Sequence, residues 1–183
     1  MDTVLREEKK YLISIEEFVK KSHILQQFML QDEHNGTHGY LIRSLYFDTP
    51  FDDDYFEKTA GIECRRKIRL RIYDTDNNFA MMQKKCYRPK TIVEYHRKAF
   101  IAKENKIRIT FDNQIVSTES HFDLFSKKLN MNPVLDPYDV ILEVKYNGFL
   151  LSYIKEMINS IDKSELSVSK YCLARQNAYQ THI

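Results

Sequence analysis

Hydrophobic and polar positions along this chain alternate in short runs, and the alternation recurs. Read with the two-residue period of a strand, RRKIRLRIYD puts Lys67, Arg69, Arg71 and Tyr73 on one face and Ile68, Leu70 and Ile72 on the other. EEKKYLI sets Glu8 with Lys10, MMQKK sets Gln83 with Lys85, and TIVEYHRKAF sets Tyr95 with Arg97. KIRITFD aligns Lys106, Arg108, Thr110 and Asp112 against Ile107, Ile109 and Phe111, and DVILEVKY aligns Glu143 and Lys145 against Leu142 and Val144. These runs predict several strands of one type, charged on one face and aliphatic on the other.

Between them the period changes. Ser14 followed by Glu17 reads as a capping box opening a helix whose apolar stripe is Ile15, Phe18, Val19, Ile24, Leu25 and Phe28. YLIRSLYFDTP reads as a strand stopped at Thr49-Pro50, and DDDYFEKTAG as a short helix closed by Gly61. Asp52, Asp53 and Asp54 suit the start of that helix better than a metal, because adjacent positions do not converge on one ion. TDNN is a turn into FAMMQKK as hairpin partner, and KEN is a turn between TIVEYHRKAF and KIRITFD. Residues 113–137 read as irregular, with one short helix around Phe122 to Leu129; Gly148 then separates a strand from a helix over Leu150 to Ile161, and SVSKYCLAR adds a further helical segment.

Such strands assemble as an open sheet with its charges in water, or as a closed barrel with the charges turned inward under outer helices. The fold expected is α+β, an antiparallel β-barrel tunnel with a basic interior flanked by helices, made by residues 1–183 as a single domain. Inward Lys and Arg repel one another unless they hold an anion, so the tunnel would have to carry a polyanion.

Bulk properties narrow the partners. Lys plus Arg number 28 against 26 acids, so the net charge is only +2 and a general nucleic-acid coat is disfavoured. The 12 Tyr and 11 Phe fall mostly on apolar faces or helix stripes, unlike the exposed stacking platforms of single-strand binders. Cys64, Cys86 and Cys172 are an odd number with no CxxC, which suggests neither a disulfide framework nor a zinc site. His23, His34 and His38 lack metal-ligand spacing and read as surface or loop residues. MDTVLREEKK has no signal-peptide core and no run approaches a membrane span, so a soluble, cytoplasmic chain is expected.

The series EEKKYLI, YLIRSLYFDT, YFEKTAG, KIRLRIY, VEYHRKAF, KIRITFD, ILEVKY and SVSKYC resembles, in that order, the VTC domain, the polyphosphate polymerase domain of the CYTH or triphosphate tunnel metalloenzyme superfamily. The resemblance implies a tunnel that binds ATP, triphosphate or polyphosphate beside Mn²⁺ or Mg²⁺, and transfer of ATP's terminal phosphate to a growing chain. By match to the family pattern, Lys10, Lys58, Lys67, Arg69, Arg71, Lys85, Arg97, Arg108, Lys145 and Lys170 would touch phosphate, with Lys10, Arg69, Arg71 and Lys170 nearest the reaction. Glu143 would hold the metal, with Glu8 as a second carboxylate. From the residues alone, Glu143 reads first as a structural ion-pair partner of Lys145 or a neighbouring Arg, and second as an oxygen ligand of Mg²⁺ or Mn²⁺; the resemblance reverses that order.

The chain departs from the pattern in three places. Gln83 stands where relatives place a glutamate, and Ser167 where some place a lysine. The link CYRPK stands where a helical excursion and another basic strand are expected, so a tunnel wall has been lost or a segment near residues 86–90 is omitted, and the abruptness of QKKCYRPKTI favours omission. Three functions therefore stay open: an ATP-dependent polyphosphate polymerase, a tripolyphosphate or nucleoside triphosphate hydrolase, and a non-catalytic polyphosphate-binding module. Transport of a product would need a second, membrane-spanning chain.

Overall fold

The computed structural model describes residues 6–62, 67–75, 87–161, 165–166 and 169–181. In chain order these form β1 (Arg6–Ser14), α1 (Ile15–Phe28), β2 (Leu30–Gln31), β3 (Tyr40–Asp48), α2 (Asp53–Thr59), β4 (Ile68–Ile72), β5 (Arg88–Ile101), β6 (Arg108–Thr118), β7 (Asn132–Pro133), β8 (Asp139–Asn147), α3 (Ser152–Asn159) and α4 (Lys170–Thr181). Hydrogen bonds order the strands β1-β8-β6-β5-β3-β4, with β2 on β5 and β7 on β6. The class is α+β, and each strand pair with a described register is antiparallel. That order is open, with β1 and β4 at its ends, so hydrogen bonding among the described residues does not draw the closed barrel expected from the sequence. The expected strand FAMMQKK lies outside the described residues.

The chain divides into two compact units. The first comprises Met1–Tyr40, His96–Gln114 and Asp136–Ser167; the second comprises Leu41–Tyr95, Ile115–Leu135 and Val168–Ile183.

In the first unit, register puts Tyr11 and Ile13 beside Leu142 and Val140, and Ile109 and Phe111 beside Val144 and Leu142. These residues share one core with Leu25 of α1 and Ile154, Met157 and Ile158 of α3. The alternate positions Glu8, Lys10, Glu143, Lys145, Arg108 and Thr110 therefore share the opposite face. Ser14 caps α1 as expected: its hydroxyl accepts from the Glu17 N–H at 3.2 Å, and Glu17 Oε2 accepts from the Ser14 N–H at 3.3 Å. The buried positions of α1 are Lys21, Ser22 and Leu25, whereas Val19, Ile24 and Phe28 are exposed. Lys21 accounts for that shift of the stripe, donating to Ser160 Oγ at 3.0 Å and to the Met157 carbonyl at 3.4 Å. Gly39 is required where it stands: its φ is +92°, and a Cβ there would strike the Arg97 carbonyl. On the outer edge of β1, Tyr11 bridges Glu165 and the Leu166 N–H donates to the Lys10 carbonyl at 2.7 Å.

In the second unit, Leu45 and Phe47 oppose Leu70 and Ile68 and pack with Ile72, Ile92 and Leu124. Ser44 and Tyr46 oppose Arg71 and Arg69 on the other face. Two expectations change here. The strand predicted to end near Asp112 continues as β6 to Thr118, and residues 122–129 contain no helix. Gln114, at φ +51°, interrupts the alternation that would have revealed the longer strand. After β6, Phe122, Phe125 and Leu129 pack on the core as side chains of an irregular segment, held by Arg43 through the Leu124 and Ser126 carbonyls at 3.0 and 2.6 Å. β5 also starts inside the expected CYRPK link, at Arg88.

The short helix α2 is started from a distance. Its N-cap residue, Asp52, is left-handed (φ 60°) and makes no side-chain cap, while fully buried Asp48 accepts from the N–H groups of Thr49, Asp54 and Tyr55 at 2.7, 3.0 and 3.0 Å. The Tyr171 hydroxyl of α4 donates to the same carboxylate at 2.6 Å. Removing it would strand two buried backbone donors, a part-buried third and a buried phenol, so Asp48→Ala should lower unfolding free energy by about 3 kcal/mol or more in chemical denaturation. Ser14→Ala, which loses one helix cap, should cost about 1 kcal/mol by the same measurement.

Candidate functional site

The charged face of the first unit is a lattice of compensated charge. On β1 and β8, Glu8 opposes Lys145 and Lys10 opposes Glu143. Lys10 Nζ pairs with Glu8 Oε1 and lies 3.9 Å from Glu143 Oε2, while Lys145 Nζ pairs with Glu143 Oε1 and lies 3.4 Å from Glu8 Oε2. Burial alone would raise the Glu8 carboxyl, but Lys10 and Lys145 outweigh it and lower it to about 2. Glu143 is buried, at 7% exposure.

Two arginines of this unit are set by carboxylates. Arg97 Nε and Nη2 each donate at 2.7 Å to the oxygens of fully buried Asp112, a bidentate grip that fixes the guanidinium plane. Arg108 Nη2 donates to Asp32 Oδ2 at 2.6 Å and to the Tyr40 hydroxyl at 3.1 Å. His34 flanks Asp32 through both its N–H and its ring at 3.1 and 2.9 Å, so it belongs to this support as a partly exposed loop residue.

The second unit supports its cations differently. Arg69 Nη1 donates to the Tyr46 hydroxyl at 3.3 Å, while Arg71 donates to Ser44 Oγ and the Tyr95 hydroxyl, each at 3.1 Å. Lys170 Nζ sits 4.8 Å from the centre of the Tyr95 ring, and Lys67 Nζ and the Arg69 guanidinium lie 5.8 and 5.9 Å from the Tyr46 ring centre. Tyr46 is 2% exposed and stacks on Tyr171 at 5.3 Å. Burial raises its phenol, yet Lys67, Arg69 and Lys170 outweigh that and hold it below the usual tyrosine value. A cleft beside this group is lined by Tyr46, Asp54, Lys58, Lys67, Ser169 and Tyr171.

Of the sequence-predicted residues, Glu8, Lys10, Arg97, Arg108, Glu143 and Lys145 thus fall in the first unit, and Lys58, Lys67, Arg69, Arg71 and Lys170 in the second. Lys85, Gln83 and Ser167 lie outside the described residues. The supporting groups Asp112, Asp32, Tyr46 and Tyr95 were not singled out as site residues by sequence reasoning. Alternation alone could have flagged Asp112 and Tyr95, which stand four positions from Arg108 and two from Arg97 on their own strands.

For a metal, Glu143 and Glu8 supply hard oxygen donors on adjacent strands, and no group of three or more His, Cys, Asp or Glu that could hold an ion gathers among the described residues. This set suits Mg²⁺ or Mn²⁺ completed by phosphate oxygens, and does not suit an all-protein cage.

The described residues make an α+β protein on an antiparallel sheet, with Lys and Arg held in place along its strands. Against known protein families, the chain matches the VTC domain over residues 5–87 and 78–179, and it belongs to that family. Membership ties it to polyphosphate metabolism. The two matched stretches overlap at residues 78–87, beside the short CYRPK link. No curated protein sequence matches the chain. Among the described residues, no helix is long and apolar enough to cross a membrane.

Arg69→Ala and Arg71→Ala, which remove partly exposed guanidiniums, should each abolish tripolyphosphate binding measured calorimetrically while leaving the circular dichroism spectrum intact. Unchanged affinity in both would overturn the assignment. Because the Glu8 carboxyl is depressed, its contribution to stability is complete above pH about 4.5 and is lost as pH falls towards about 2. Glu8→Gln should flatten that acid limb in a stability-versus-pH series.

Proposed function

We propose that this VTC domain is an ATP-dependent polyphosphate polymerase. The terminal oxygen of a polyphosphate chain attacks the γ-phosphorus of ATP, the bond to the β-phosphate oxygen breaks, and ADP leaves. The observation that carries the reading is the group of cations around buried Tyr46, a site of positive potential: Arg69 donates to its hydroxyl at 3.3 Å, and the Lys67 ammonium and Arg69 guanidinium lie 5.8 and 5.9 Å from its ring centre. A site of that potential is suited to a triphosphate, whose transfer asks the protein mainly to position groups and neutralise developing charge.

In this reading Arg69 and Arg71, steadied by Tyr46, Ser44 and Tyr95, grip phosphate oxygens with Lys67, Lys58 and Lys170 beside them. Lys10, Lys145, Arg97 and Arg108 hold further phosphates, the two arginines kept in place by Asp112 and Asp32. Guanidinium forks fix orientation, whereas ammonium groups act as point charges along which a chain slides. Glu143 and Glu8 would hold Mn²⁺ or Mg²⁺, which when bound neutralises charge developing on the phosphate oxygens. In this reading the domain works in the cytoplasm.

A second reading, a non-catalytic polyphosphate-binding module, is favoured by one observation: Glu143 pairs with Lys145 and lies near Lys10, as a structural ion pair would.

Incubation with γ-labelled ATP and Mn²⁺ or Mg²⁺ separates these readings when long chains, free phosphate and bound nucleotide are resolved together. Long-chain product that disappears in Glu143→Ala is the expected result. Free phosphate alone would indicate a hydrolase, and tight binding without turnover the binding module.

A further inference from the structure

The charged face of the first unit also carries a buried hydroxyl, that of Thr110. Thr110 is 2% exposed, and its hydroxyl has no hydrogen-bond partner among the described residues. A buried unsatisfied hydroxyl carries a desolvation penalty, so such groups are rare in folded proteins. On β6, Thr110 lies directly across the ladder from Glu143 of β8, and Glu143 lies directly across from Lys10 of β1. Cross-strand partners of this kind have Cβ atoms about 5 Å apart, within hydrogen-bonding reach of a glutamate carboxylate.

Glu143 does not take that bond in this structure. Its Oε1 pairs with Lys145, and its Oε2 is turned towards Lys10. Both ammonium groups are shared with Glu8, so the quartet is two cations against two anions. A phosphate chain competes for the same lysines. When it draws them away, Glu143 becomes a buried carboxylate without a partner, an expensive state. The unpartnered donor and the acceptor about to lose its partners are therefore neighbours on adjacent strands.

We propose that Thr110 is a positioning residue: its hydroxyl receives the Glu143 carboxylate when a polyanion takes over Lys10 and Lys145. The threonine leaves its donor idle in the ligand-free chain and holds the carboxylate in one orientation in the ligand-bound chain. A carboxylate fixed in this way is also prepared to present its other oxygen outward. The inference rests on the reading of this face as phosphate-binding.

The test is calorimetric titration with inorganic tripolyphosphate of the wild-type chain, Thr110→Val, Thr110→Ser, Glu143→Gln and the Glu143→Gln/Thr110→Val double variant. A hydrogen bond to a charged group predicts an affinity loss of about tenfold in Thr110→Val. Thr110→Ser should bind as the wild type does, and the loss should shrink in the Glu143→Gln background, where the hydroxyl can meet only a neutral amide oxygen. The melting temperature of ligand-free Thr110→Val should equal or exceed that of the wild type, because an unsatisfied hydroxyl is removed. Wild-type affinity in Thr110→Val, a loss that stays undiminished beside Glu143→Gln, or a lowered ligand-free melting temperature would each overturn the role of Thr110 while leaving the phosphate-binding reading in place. A wild-type chain that does not bind tripolyphosphate would overturn both.

Discussion

Rows of like charge on a strand face persist only with compensation, and the rest of this structure follows from how that compensation is made. The first unit uses carboxylates: Asp112 grips Arg97, Asp32 grips Arg108, and Glu8 and Glu143 share Lys10 and Lys145. The second places Arg69 and Arg71 against the hydroxyls of Tyr46, Ser44 and Tyr95, and Lys170 over the Tyr95 ring, contacts that orient a cation. Ion pairs and hydroxyl contacts differ in consequence. The carboxylates hold their cations by charge, whereas beside Tyr46 the nearby Lys67, Arg69 and Lys170 keep the phenol below the usual tyrosine value.

Strand alternation made most of the sheet legible. The cores of both units are the aliphatic faces read from KIRLRIY, KIRITFD and DVILEVKY, and the capping box at Ser14 sits where its spacing placed it. Failures came where local pattern and tertiary use diverged. Lys21 is polar by composition yet buried by its bonds to α3, which turned the apolar stripe of α1 away from its apparent axis. Gln114 breaks the alternation by adopting a left-handed backbone, hiding the second half of β6.

The candidate cations were legible because strand period groups them; their supports were less so. Arg108 and Asp32 stand 76 positions apart, and no local rule joins them. Tyr46 and Tyr95, as aromatic residues in strands, read first as packing and only in three dimensions as hydroxyls turned to guanidinium groups. Thr110 was grouped with Arg108 and Asp112, but its idle hydroxyl is a property of the assembled sheet.

The edge of β1 has a further consequence. A strand at the end of a hydrogen-bond order exposes a template for any passing chain, which invites edge-to-edge association. Here the short stretch at Glu165 and Leu166 already occupies that template at Lys10 and Tyr11. A foreign strand pairing there would have to peel it away first, so among the described residues the middle of β1 is closed to edge-to-edge pairing by the chain's own backbone.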